Sequence, residues 1–166
     1  MIDFFHKGAS MTKRISGVAR IKGAPDINPR PASGRNQLKI AEISDGDGSV
    51  AKILCETVST PESRQKGLMG RKSLPNVCGM LFEGLSGGGY FWMKDCLIPL
   101  DVMFADGDGK ITRIYSMPVD KDGEKHYDYD EGDASAIEVN MGFCEKHGIR
   151  KGFKVRVREP RKKGAG

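Results

Sequence analysis

One pattern, used twice, constrains the fold more than any other: Asp45-Gly-Asp-Gly-Ser-Val-Ala-Lys-Ile and Asp106-Gly-Asp-Gly-Lys-Ile-Thr-Arg-Ile each interrupt an apolar run with aspartate and glycine. Asp-Gly supplies the positive φ that a tight reversal needs, so each tract predicts a β-hairpin. The flanking runs Leu38 to Ile43, Val50 to Val58 and Leu100 to Ala105 then read as strands. A calcium loop is the sharper alternative for Asp45, Asp47, Ser49 and Glu56. It fails at Val50, which stands where such a loop needs glycine, and β-branched neighbours replace the flanking helices.

Helical signals are few. Thr60 followed by Pro61 and Glu62 predicts a capped start, with Gly67 or Gly70 as the stop. A second short helix is expected from Gly142 to His147, closed by Gly148. The final alternation Lys154-Val-Arg-Val-Arg fits an edge strand whose cations discourage further pairing.

Charge divides the chain. Residues 1–35 carry seven Lys/Arg against two acids and residues 150–166 eight against one, leaving residues 36–149 with 12 basic and 19 acidic side chains. The pI of 9.0 therefore comes from basic ends around an acidic body. Residues 1–36, rich in Gly and Pro, are expected to be a disordered basic leader holding at most a short strand at Ile15 to Ile21. Residues 37–158 should form one domain and residues 159–166 a basic tail. The acidic run 120–135 lacks an aliphatic anchor and reads as a solvated insertion in preference to a lid.

Cys55, Cys78, Cys96 and Cys144 form no CxxC element, so neither a metal motif nor a cofactor is indicated and four packed thiols are expected. No stretch has the length of a signal-peptide core or a membrane helix, which predicts a cytoplasmic protein.

The string Arg64, Gly67-Leu-Met-Gly-Arg71, Leu74-Pro75, Gly79-Met-Leu-Phe82, Phe91-Trp-Met-Lys94, Ile98-Pro-Leu-Asp101, Gly109-Lys-Ile111 and Ile137-Glu-Val139 closely resembles the domain of unknown function 192 family over about residues 50–157. The resemblance implies a small, mainly β, barrel-like or sandwich-like domain with one or two short helices, and no established activity. Members typically carry Asn-Thr where this chain has Asp95-Cys96, and many begin with an export signal, so the resemblance leaves export open.

Functional candidates concentrate in and around the segment from Tyr90 to Asp101. Continued as a strand, it would point Phe91, Met93 and Asp95 one way and Trp92, Lys94 and Cys96 the other, with Pro99 ending it before Leu100. One reading is packing: Trp92 and Met93 anchor a core while Asp101 binds backbone amides to pin the Pro99 turn. The functional reading gathers Arg64, Arg71, Trp92, Lys94, Asp101 and Glu138 around a pocket for a small polar ligand, as a binding module. An enzyme using Asp101 with Glu138, or Cys96 as nucleophile, is a second class. A third is an interaction protein whose basic ends touch nucleic acid through phosphates alone, or a protein partner.

Overall fold

A computed structural model describes residues 37–160. The expected leader, its short strand and the last six residues of the tail lie outside them.

The chain runs β1 (Gln37–Ser44), β2 (Ser49–Val58), α1 (Pro61–Lys66), β3 (Cys78–Glu83), β4 (Gly89–Phe91), β5 (Leu100–Asp106), β6 (Ile111–Met117), β7 (Tyr127–Tyr129), β8 (Asp133–Asn140), α2 (Phe143–Lys146) and β9 (Lys154–Arg158). Seven strands form one sheet in the order β6-β5-β8-β3-β2-β1-β9, and β4 pairs with β7 in a separate ribbon. Both Asp-Gly tracts are hairpin turns. In the first, the Asp45 carboxylate accepts from the amides of Asp47 and Gly48, both at 2.9 Å. In the second, Asp106 accepts from Asp108 at 3.0 Å and Lys110 at 2.9 Å.

The sheet curls until its two ends meet at one corner. Ile111 N donates to Phe153 O (2.8 Å), Gly152 N to Ile111 O (2.8 Å) and Val155 N to Gly109 O (2.7 Å). These bonds surround a single bridge between Lys110 and Lys154, so the structure is barrel-like without a closed ladder. A side chain on Gly109 would place its Cβ 2.3 Å from Val155 O, so the contact requires glycine there.

The inner face packs Ile43, Ile53, Leu81, Met103, Ile111, Ile137 and Val155 with Phe143 and Cys144 of α2. The outer face packs Met80, Phe82, Leu100, Val102 and Phe104 beneath Leu68, Leu74, Phe91, Met93, Tyr127 and Tyr129. Rings dominate there: Phe91 meets Phe82 and Phe104 edge-on at 4.9 and 5.1 Å, and Tyr129 stacks on Phe104 at 5.7 Å. Each fully buried ring removes enough apolar area to contribute up to about 3 kcal/mol.

The covering layer corrects two sequence expectations. The run 120–135 is not a solvated insertion: it contains β7, whose Tyr127 and Tyr129 are 3% and 2% exposed, and the buried Asp133 that opens β8. Its anchor is aromatic, hidden in the sequence among acids. The strand begun at Tyr90 stops at Phe91. Asp95 has φ 57, and Cys96 N donates to Met93 O at 3.0 Å, so residues 93–96 form a turn and the expected alternation beyond Phe91 does not exist.

Candidate functional site

The antiparallel ladder between β5 and β8 pairs Asp101 with Val139 and Val102 with Glu138. Paired residues share a face and successive residues alternate, so Asp101 points to the inner side and Glu138 to the outer. The two carboxyls weighed as an acid/base pair in the enzyme alternative thus leave opposite faces of the sheet. Asp101, 1% exposed, accepts from Ser116 Oγ at 2.7 Å and from the amides of Gly142 at 3.0 Å and Cys144 at 3.1 Å. It holds the start of α2 rather than the Pro99 turn, which is tied by Met141 N donating to Pro99 O at 3.1 Å.

Glu138 is 3% exposed. It faces Met80 on β3 and Val102 on β5 in the ladders. Among the described residues no hydrogen bond or ion pair reaches its carboxyl, and burial pushes its pKa up to about 7. Cys96 lies close by: burial, then the Glu138 charge, push its thiol up to about 11.

One strand beyond Met80 on the same outer face is Glu56, since Met80 is register partner to both Glu56 and Glu138. Two strand spacings put these carboxyl-bearing residues about 10 Å apart at their backbones. Arg71 meets Glu56 through two nitrogens, each at 2.6 Å. This bidentate pair holds the Arg71 charge firmly, and its pKa is raised by the Glu56 hydrogen bond. Glu56 entered the sequence reading only as the last position of the rejected calcium loop and was not among the six pocket candidates. Its only further signal was an acid between Cys55 and Thr57 in the mostly apolar second half of β2.

The remaining candidates separate. The helix bearing Arg64 has the expected capping by Thr60, whose side chain accepts from Ser63 N at 3.2 Å. Arg64 reaches away from Arg71, to Glu83 O at the end of β3. Trp92 is half-buried against the outer core, edge-on to Tyr90 at 6.1 Å, and Lys94 Nζ lies 5.7 Å from its ring. His126 stacks on Tyr90 at 3.8 Å, which brings the acidic run onto this segment. Arg71 and Glu138 thus share the outer face, Trp92 and Lys94 flank it, Arg64 stands at its end, and Asp101 is behind the sheet. A separate cleft of about 170 Å3, lined by Asn76, Asn140, Phe143, Lys146 and His147 among others, contains none of the six.

All four cysteines are buried and free. Burial raises Cys55 and Cys144 to about 12, so these thiols hold their protons at neutral pH. Of the described histidines, His126 stacks on Tyr90 and His147 lies tilted against Phe143 at 4.4 Å, and neither forms a hydrogen bond with a thiol among the described residues. No helix of the described residues is long and apolar enough to cross a membrane.

The solved structures similar to this chain include two that cover most of it. One is a protein of unknown function from Novosphingobium aromaticivorans, 27% identical, with a TM-score of 0.70 and coverage of 84% of this chain and 99% of the other. The other is titled a "putative transcription regulator" from Sinorhizobium meliloti, 27% identical, with a TM-score of 0.66 and coverage of 72% and 92%. No curated protein matches. The family described as uncharacterized ACR matches residues 42–157, which span both hairpins, the covering layer and both faces of the sheet. The chain belongs to that family, the domain of unknown function 192.

Proposed function

We propose that the domain is a non-catalytic binding module for a small polar ligand, which it holds through Glu138 on the outer face beside the Arg71–Glu56 pair. The supporting observation is the Glu138 carboxyl: buried, flanked by Met80 and Val102, and without a partner among the described residues. Leaving a buried carboxyl without a hydrogen bond costs several kcal/mol, and a ligand that supplies such a bond relieves that cost. Perturbed carboxyls of this kind concentrate at functional sites.

The surroundings select the ligand's chemistry. Arg71 is already held by Glu56 through both nitrogens, so the group that remains is Glu138, which titrates near 7. A hydroxyl or amino group suits it better than an anion. Catalysis is disfavoured because Asp101 faces the other way and Cys96 keeps its proton.

The test is a thermal-shift screen of the full chain against sugars, amines, nucleotides and carboxylates, repeated with Glu138→Gln and Asp101→Asn. A compound that raises the melting temperature of wild type and of Asp101→Asn, but not of folded Glu138→Gln, supports the reading. A compound that acts equally on Glu138→Gln, or a screen without any stabilising compound, overturns it.

A further inference from the structure

The far end of the outer face carries the opposite imbalance. Arg64 is half-buried, and burial draws its pKa down. Among the described residues no carboxylate pairs with it, and its bonded partner is the neutral carbonyl of Glu83. The neighbouring Glu83 side chain is taken by Lys39, at 2.8 and 2.9 Å. Arg64 Nε is buried without a hydrogen-bond partner. Drawing part of a guanidinium out of water without a counter-charge carries a desolvation cost, smaller here than for the fully buried Glu138 carboxyl.

A second unsatisfied group lies against it. Tyr129 is 2% exposed, and its hydroxyl has no hydrogen-bond partner. Burial raises its pKa, and the Arg64 charge is near enough to offset part of that rise. The connection from β3 to β4, Gly84-Leu-Ser-Gly-Gly-Gly89, wraps this pair with Gly84, Gly87 and Gly88 at φ 69, 75 and 71. Glycine is required where the chain touches the two groups. A Cβ on Gly84 would lie 3.0 Å from an Arg64 terminal nitrogen, and one on Gly89 would lie 2.7 Å from the Tyr129 hydroxyl. Gly84 itself is exposed, so the guanidinium end lies beneath a surface point with no side chain over it.

We propose that Arg64, the Tyr129 hydroxyl and the glycine loop 84–89 form a binding site for a small oxyanion, a carboxylate or a phosphoryl group, distinct from the Glu138 site. Arg64 supplies charge and a planar fork of donors, Tyr129 a neutral donor, and the loop an approach free of side chains. The two sites select opposite ligand chemistries, one hydrogen-bond-donating and the other anionic.

Inorganic phosphate and acetate are the probes, titrated separately into the full chain by isothermal calorimetry, with wild type, Tyr129→Phe, Arg64→Gln and Glu138→Gln compared. Tyr129→Phe keeps the ring stack on Phe104 and deletes only the hydroxyl, so it remains folded. The expected result is binding of one probe by wild type and Glu138→Gln, weakened at least fivefold in Tyr129→Phe and lost in Arg64→Gln; whichever probe binds names the oxyanion. Equal binding by Tyr129→Phe and wild type, or no heat from either probe with wild type, overturns the proposal.

Discussion

Asp101 and Glu138 occupy adjacent strands, yet their side chains leave opposite faces of the sheet, because the ladder pairs Asp101 with Val139 and Glu138 with Val102. One carboxyl is fully engaged by three donors and the other by none among the described residues. Their substitutions should therefore behave in opposite ways.

Asp101→Ala leaves the buried amide of Cys144 and the half-buried amide of Gly142 without their acceptor. Each orphaned group costs about 1–3 kcal/mol, so a loss of roughly 3 kcal/mol is expected. Urea unfolding measures it, and a loss below 1 kcal/mol would show that α2 does not depend on this carboxyl.

Glu138 should make stability fall as pH rises. Its folded pKa, about 7, lies above the ordinary 4.5, so between these values the native state holds the proton more tightly than the unfolded chain. The native state is unpenalised below 4.5 and carries the full cost of ionisation above 7, on the order of 3 kcal/mol. Comparing unfolding free energies of wild type and Glu138→Gln at pH 5 and pH 8 isolates this term. The substitution should stabilise the protein at pH 8 relative to wild type.

The Arg71–Glu56 pair predicts a sign change in a double-mutant cycle. Arg71→Met removes the bidentate counter-charge of a carboxylate whose side chain is 9% exposed and should cost about 3 kcal/mol. Adding Glu56→Leu should recover most of that loss, since an apolar pair of similar volume escapes the desolvation cost. Additive losses would mean that the two side chains act separately.

The buried thiols give a chemical check. With Cys55 and Cys144 at about 12 and Cys96 at about 11, a thiol reagent at pH 7.5 should modify none of the four cysteines within minutes in the native protein. All four should react in denaturant. Rapid native reaction at Cys96 would reopen a nucleophilic role.

Much of the fold was legible because its signals are local. The Asp-Gly reversals, the Thr60-Pro61 helix start and the Lys154–Arg158 edge strand each follow from a few neighbouring residues. The covering layer was not legible. Tyr127 and Tyr129 are held by a three-residue strand that needs β4 beside it, and nothing in an acidic run announces that partner. Nor could the site be assembled from spacing, since the faces of Asp101 and Glu138 are set by register between strands more than 30 residues apart. The division of Arg64 from Arg71 likewise depends on where the chain leaves α1, so the two arginines reach different ends of the outer face.

Glu138 is a buried carboxyl that no side chain or amide among the described residues bonds. Carbon-detected NMR of carboxyl-labelled protein, titrated from pH 3 to pH 9, reads its ionisation directly, with Glu138→Gln identifying the signal. The account predicts a midpoint near 7 in the ligand-free protein. A midpoint at or below the ordinary glutamate value of about 4.3 would place the carboxyl in water or in an ion pair and contradict the account.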